Sequence, residues 1–141
     1  MNPNGRVLVV DDEPAIRALV ATIVDRAGLP VDTAHHGADA IAKMKTMDYT
    51  VVVVDLNMPI LDGFGVVEYV RSRPEPRPAV IVITAGDVPL RRLDGRIVHS
   101  VLHKPFDIDE LGDLIVAVVK TVAGEDQQRD ENIVRFPQQS R

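Results

Sequence analysis

The chain has 141 residues, no cysteine and a formal net charge of −5. This length fits one domain with a hydrophobic core and a short remainder, and it excludes two large domains. The absence of cysteine excludes disulfides and thiolate chemistry, and the scattered basic residues argue against direct nucleic-acid binding. No stretch resembles a signal peptide or approaches the roughly 20 apolar residues that span a bilayer, so we expect a cytoplasmic protein without membrane contact.

The first half of the chain alternates between strand and helix patterns. A strand is predicted at residues 6–10, and a helix follows from Pro14, which suits a first helical turn because its missing N–H is not needed there. Gly28 ends this helix. A short strand at Val31–Ala34 and a second helix at residues 38–47 come next. Two strand–helix units are therefore predicted in this half.

The second half continues the alternation. A strand over Val51–Asp55 is followed by turn residues and a short third helix around residues 66–70, which a proline-rich stretch closes. Further strands are predicted at residues 79–83 and 97–102. The run of four valines before Asp55 has no polar alternation, which is typical of a strand buried on both faces. Such strands occur in parallel sheets that helices cover on both sides.

The connections near the end of the chain complete the predicted fold. Only a helix of about two turns fits between Pro89 and Gly95, because proline and glycine interrupt helices. Asp107 is placed to cap a last helix, whose apolar stripe runs to Val122. Five strand–helix repeats with short connections predict an α/β fold, a doubly wound five-stranded parallel sheet with a shortened fourth helix.

The composition changes at Gly124. From there to the end, Glu, Asp, Gln, Asn and Arg dominate and helical periodicity ends. We therefore predict one domain at residues 1–123 and a polar, disordered tail at residues 124–141.

Chemically useful side chains follow the predicted strands. Asp11 and Asp12 follow the first strand, Asp55 ends the third, and Thr84 and Lys104 follow the last two. In doubly wound sheets, ligands bind beyond the carboxyl ends of the strands. We therefore expect these five side chains to meet at one edge of the sheet.

Three carboxylates at one edge would repel one another, and a hard divalent cation is the common remedy. Magnesium prefers oxygen ligands and usually takes one or two carboxylates together with a phosphate group. A carboxylate can also be a nucleophile and form an aspartyl phosphate, with positive groups neutralising the charge on the moving phosphoryl. The pattern therefore indicates a phosphoryl-transfer site with Mg²⁺.

At this level of detail the chain resembles the receiver domain of two-component response regulators, over residues 6 to about 122. Four motifs, each at a strand end, carry the resemblance: Val-Leu-Val-Val-Asp-Asp-Glu-Pro at 7–14, Asp-Leu-Asn-Met-Pro with Asp-Gly within 55–63, Val-Ile-Val-Ile-Thr-Ala at 80–85, and Lys-Pro-Phe at 104–106. The resemblance implies a flavodoxin-like (βα)5 fold. It also implies a signalling protein that catalyses only its own phosphorylation and dephosphorylation, and not an enzyme with other substrates.

The resemblance assigns a role to each residue of the acidic group. Asp55 would accept the phosphoryl group. Asp12 and Asp55 would bind Mg²⁺ directly, the carbonyl of Asn57 would be a third ligand, and Asp11 would act mainly through water. The donor would be a phosphohistidine on a sensor histidine kinase or a histidine phosphotransfer protein.

The resemblance also covers the two remaining site residues. Thr84 and Lys104 would contact the phosphoryl oxygens, and the bond from Lys104 to Pro105 would be cis. Val101 stands where receivers commonly carry an aromatic switch residue, so the usual coupling from threonine to an aromatic ring cannot be assumed. The output would be a changed protein-binding surface, in a stand-alone receiver or in the input domain of a longer regulator.

Two other functions are compatible with parts of this pattern. One is an Mg²⁺-dependent phosphohydrolase with an aspartyl nucleophile, but Asn57 occupies the position where such enzymes usually carry a second acidic residue. The other is a receiver-like scaffold that binds partners without phosphorylation, and the complete set of site residues argues against it.

Overall fold

The structure is a computed structural model that describes residues 5–58, 63–86 and 93–134, with residues 125–134 described by their backbone alone. Five strands form one parallel sheet with the order β2-β1-β3-β4-β5. The elements, in chain order, are β1 (Val7–Val10), α1 (Pro14–Arg26), β2 (Val31–Ala34), α2 (Gly37–Met44), β3 (Val51–Asp55), α3 (Gly63–Ser72), β4 (Ala79–Thr84), β5 (Val98–His103) and α4 (Ile108–Val134).

The predicted burial of β3 on both faces is confirmed. Val51–Asp55 is buried at every position. Its side chains alternate between two cores, with Val52 and Val54 in the core that also contains side chains of α2 and α3, and Val51 and Val53 in the core that contains side chains of α1 and α4. Fully burying one such apolar side chain contributes about 1.5 kcal/mol or more, so two complete cores stabilise the sheet.

The strand register brings the carboxyl ends of the strands to one edge. Val10 pairs with Ala34 on one side and with Val54 on the other. One position further along, Asp55 pairs with Ile83. The ends of these strands therefore lie at nearly the same level along the strand direction. This alignment brings the residues at and beyond the strand ends close together and so positions the site.

The last helix confirms one prediction and corrects another. Asp107 caps it as predicted, since its Oδ1 accepts a hydrogen bond of 3.0 Å from the backbone N–H of Glu110. The prediction that helical structure ends near Gly124 is wrong, because α4 continues to Val134. Residues 125–132 are polar but contain neither proline nor glycine, and a helix that is already formed extends at little cost through such residues.

The short fourth helix is predicted between Pro89 and Gly95, and its first part, residues 89–92, lies outside the described residues. Within the described part of the chain, none of the helices combines the length and the hydropathy that crossing a bilayer requires.

Candidate functional site

Asp11 lies just beyond β1 and is held in place by three hydrogen bonds, each of which has a backbone group as its donor or its acceptor. Its N–H donates to the carbonyl of Ala34 at 3.2 Å, which extends the pairing of β1 with β2 by one residue. Its Oδ1 accepts from the N–H of Glu13 at 2.9 Å, and its carbonyl accepts from Arg17 Nη1 at 2.8 Å. Asp11 is only 3% exposed, so its carboxylate has one fixed position at the sheet edge.

Asp55 occupies the corresponding position at the end of the central strand. It is 4% exposed. Its Oδ1 accepts a hydrogen bond of 3.0 Å from the N–H of Asn57, and its Oδ2 lies 3.4 Å from Lys104 Nζ. The next residue, Leu56, contacts the start of α3, because its carbonyl accepts a hydrogen bond of 3.2 Å from the Gly63 N–H.

Gly63 is a residue whose role the sequence patterns indicated only as part of a turn. A Cβ at this position would lie 2.5 Å from the Asp55 carbonyl oxygen and 2.5 Å from Leu56 Cα. These contacts are with backbone atoms, which cannot rotate away as a side chain can. Helix α3 can therefore begin this close to the Asp55 backbone only because residue 63 has no side chain.

The predicted gathering of carboxylates is present in the structure. One ligand oxygen from each of Asp11, Asp12 and Asp55 lies within 4.8 Å of the others. Burial raises the pKa of Asp11, the hydrogen bond from the Glu13 N–H opposes this shift, and the negative charge of Asp55 adds to it. These residues offer oxygen donors only and carry excess negative charge, which is the donor set of a hard divalent cation.

Lys104 is the cation beside this acidic group. Its Nζ lies 3.4 Å from Asp55 Oδ2, 3.5 Å from Glu13 Oε1 and 3.7 Å from Asp11 Oδ2. Burial acts to lower the pKa of Lys104, but the charges of Asp11 and Asp55 outweigh it and the pKa is raised. The ammonium group therefore stays charged at neutral pH. The bond from Lys104 to Pro105 is cis, which confirms that prediction.

Thr84 lies at the same edge, fully buried at the end of β4. Its Oγ1 accepts from Asn57 Nδ2 and from the Gly86 N–H, both at 3.4 Å. Both hydrogen bonds are weak at this length and use the Thr84 oxygen as acceptor. Neither of them occupies the hydroxyl hydrogen, which can be donated to an incoming anion. The Thr84 carbonyl accepts from the Lys104 N–H at 2.8 Å, which joins the two positions.

The structure thus brings together all the site residues that the sequence predicts, and it adds Glu13. The sequence analysis placed Glu13 within a motif but gave it no role. Its position directly after Asp11 and Asp12 was a usable signal, because a third acidic side chain at the same strand end can reach the same cation. The resulting group can hold a metal ion, present a carboxylate oxygen as a nucleophile and neutralise an incoming anion.

The family of the chain is shown by its sequence. A family model described as response regulator receiver domain matches residues 7–116. The chain therefore belongs to the response regulator receiver domains, the phosphoryl-accepting modules of two-component signal transduction.

Two relatives differ in how much of their length this chain covers. The chain is 39% identical over 108 residues to the transcriptional regulatory protein TcrA of Mycobacterium tuberculosis. The aligned region covers 75% of this chain but only 42% of TcrA. It is 34% identical over 109 residues to the protein PilG of Pseudomonas aeruginosa, covering 75% of this chain and 81% of PilG. The chain thus spans less than half the length of the first relative and most of the second.

Solved structures agree with the fold. The response regulator protein TrrA of Thermotoga maritima, solved in complex with Mg²⁺ and BeF, superimposes with a TM-score of 0.72 at 31% identity. The match covers 81% of this chain and 98% of that structure. The predicted flavodoxin-like fold is therefore confirmed.

Proposed function

We propose that Asp55 accepts a phosphoryl group from the phosphohistidine of a sensor histidine kinase or a histidine phosphotransfer protein. The observation that carries this proposal is the position of the Asp55 carboxylate, which lies among two other carboxylates, one ammonium and one hydroxyl group. In the reaction, a carboxylate oxygen of Asp55 forms a bond to phosphorus as the phosphorus–nitrogen bond breaks, and the leaving imidazole retains the bonding electron pair.

Magnesium is the metal we propose for this site. Asp12 and Asp55 would bind it directly together with the backbone carbonyl of Asn57, and Asp11 would act mainly through water. When bound, the ion would neutralise the negative charge that gathers on the carboxylates and the phosphoryl oxygens. The oxygen-only donor set and the raised pKa of Asp11 support this assignment.

Thr84 and Lys104 are the proposed contacts to the phosphoryl oxygens. The Thr84 oxygen is the acceptor in both of its hydrogen bonds, so neither bond occupies the hydroxyl hydrogen that would be donated to a phosphoryl oxygen. Lys104 carries a positive charge 3.4 Å from Asp55. Thr84 is the last residue of β4 and Lys104 directly follows β5, so their movement toward the phosphoryl group displaces the strand ends. Residue 101 in β5 is a half-buried valine. Because valine has no ring, the response does not depend on an aromatic side chain at that position.

The broader assignments belong to the same proposal. The catalysis that the chain performs is confined to its own phosphorylation and dephosphorylation, and its output is a changed protein-binding surface. It acts in the cytoplasm without binding nucleic acid itself. The receiver domain comprises residues 1–123, and the segment from residue 124 onward, into which α4 continues, is not part of the phosphorylation chemistry.

A small phosphodonor tests the proposal without the cognate kinase. The full chain is incubated with Mg²⁺ and phosphoramidate, and intact mass spectrometry follows the addition of one phosphoryl group. Asp55→Asn should remove the modification and preserve the fold, because a strand-end nucleophile is not needed for packing. Asp25→Asn, the same change on the exposed face of α1, is the matched control. Labelling that persists in Asp55→Asn would contradict the assignment.

A further inference from the structure

Glu13 reaches across the site to Lys104, although their strands are not neighbours. β1 and β5 are separated by β3 and β4 in the sheet. Nevertheless, Glu13 Oε1 lies 3.5 Å from Lys104 Nζ, about as close as Asp55 Oδ2 at 3.4 Å. The side chain of Glu13 is 62% exposed, whereas that of Lys104 is 16% exposed. The pair therefore lies on the solvent side of the site.

The backbone position of Glu13 makes this contact unusual. Glu13 is the N-cap residue of α1, a position whose side chain commonly accepts a hydrogen bond from the first helical turn. Its side chain makes no such bond. The part of Glu13 that belongs to the helix is its backbone carbonyl, which accepts the first helical hydrogen bond, from the Arg17 N–H at 2.9 Å. The carboxylate of Glu13 is therefore available to Lys104, and changing it removes no cap.

The three carboxylates around Lys104 differ in what phosphorylation does to them. Asp55 would carry the phosphoryl group, and Asp11 lies against the proposed metal position. Glu13 belongs to neither group. All three oxygen–nitrogen distances lie between 3.4 and 3.7 Å, longer than the roughly 2.7–2.9 Å of a tight charged hydrogen bond. The ammonium group is thus shared among its partners, and the loss of one partner shifts it toward the others.

We propose that Glu13 is a positioning residue that holds Lys104 on the solvent side of the unphosphorylated site and has to release it when Asp55 is phosphorylated. This inference rests on the proposed function. Every ion pair that exists only before phosphorylation opposes the change, since it favours the starting state. Glu13 therefore makes the phosphorylated state harder to reach and sets part of the balance between the two states.

Beryllium fluoride, a phosphoryl mimic, allows this balance to be measured as a dissociation constant. The full chain is titrated in the presence of Mg²⁺, by calorimetry or fluorine NMR, as wild type and as Glu13→Gln. Glu13→Gln should bind the mimic about twofold to fivefold more tightly, the range expected for an ion pair with one exposed partner. The ratio should approach one as KCl increases, because salt screens an exposed pair.

Two controls separate this role from a general effect of charge. Glu110→Gln makes the same change at an exposed position of α4 for which the described residues include no ion pair, and it should leave the dissociation constant unchanged. In a Lys104→Ala background, titrated over a higher concentration range, Glu13→Gln should have no further effect. The double-mutant cycle thus assigns the contribution of Glu13 to Lys104.

The outcomes are distinguishable. Equal or weaker binding in Glu13→Gln, an equal gain in Glu110→Gln, or a gain that persists without Lys104 would each overturn the positioning role. Failure of the wild-type chain to bind beryllium fluoride would instead overturn the proposed function. A tighter Glu13→Gln that loses its advantage in high salt and in the Lys104→Ala background would support both.

Discussion

Both edges of the sheet contain carboxylate side chains, but the groups that neutralise these carboxylates differ between the two edges. At the amino-terminal edge, Asp32 accepts a hydrogen bond of 3.1 Å from Arg6 and another of 2.7 Å from the Tyr49 hydroxyl group. One carboxylate there has one cation and one neutral donor. At the carboxyl-terminal edge, the single ammonium group of Lys104 lies within 4 Å of three carboxylates, those of Asp11, Glu13 and Asp55.

The pKa values follow this difference. Burial and the hydrogen bond to Asp32 raise the pKa of Tyr49, so its hydroxyl group remains a neutral donor and the amino-terminal network stays intact over a wide pH range. Burial and neighbouring negative charge raise the pKa of Asp11, which makes its ionised form costly. The first edge is therefore arranged for stability. The second carries negative charge that a ligand can neutralise, which is common at functional sites.

Backbone packing at the carboxyl-terminal edge gives the largest expected effect. Gly63→Ala should lower the free energy of unfolding by about 3 kcal/mol, because its Cβ would overlap backbone atoms next to Asp55. Phosphorylation by phosphoramidate should slow as Asp55 is displaced. Gly95→Ala has no atom within 4 Å of the new Cβ and should change stability by less than about 0.5 kcal/mol. Urea denaturation of both variants checks the contrast, and equal effects would contradict it.

The second largest expected effect is on Mg²⁺ affinity, which should depend on the carboxyl-terminal edge and not on the amino-terminal edge. Asp12→Ala should weaken Mg²⁺ binding about 100-fold, equivalent to about 2.7 kcal/mol, because it removes one of the two carboxylates proposed to bind the ion directly. Asp32→Ala removes a carboxylate from the opposite edge and should leave the affinity unchanged. Calorimetric titration measures both. If Asp12→Ala bound Mg²⁺ as tightly as wild type, the cation would have to lie elsewhere.

Neutralising one aspartate at each edge should change stability in opposite directions. Without divalent cations, Asp32→Asn should destabilise the protein by about 2 kcal/mol, because it loses charged hydrogen bonds. Asp11→Asn should stabilise it, because it relieves the burial and the repulsion of a charge. Denaturation in EDTA gives both values. The comparison between the edges fails if Asp11→Asn is the more destabilising variant.

The pH dependence of stability should show the smallest effect. The folded protein retains the proton of Asp11 to a higher pH than the unfolded chain, because the folded pKa is raised above the usual 3.8. Between these two pKa values the folded state binds more protons, so the free energy of unfolding falls as pH rises. One proton limits this slope to about 1.4 kcal/mol per pH unit.

Denaturation in EDTA from about pH 4 to about pH 7 measures this slope. Asp11→Asn should reduce it, and Asp25→Asn, on the exposed face of α1, should not. A slope that is the same in Asp11→Asn and in wild type would mean that Asp11 is not the group responsible.

The fold class and most of the site residues could be predicted from the amino-acid sequence alone. The apolar run before Asp55 has to be buried on both faces, and parallel strands then bring their carboxyl ends to one edge. Asp11, Asp12, Thr84 and Lys104 could be placed there because each follows a strand closely in the chain. Local patterns were sufficient for these residues.

Contacts between segments that are distant in the chain could not be predicted from the sequence and became apparent in the three-dimensional structure. The ion pair of Glu13 with Lys104 depends on the widths of two intervening strands, and the need for glycine at residue 63 depends on how closely α3 approaches the Asp55 backbone. Neither distance is encoded in a local pattern. The end of α4 was missed for a related reason. Periodicity reports where a helix packs against the core, and a helix that has already formed can continue through polar residues beyond it.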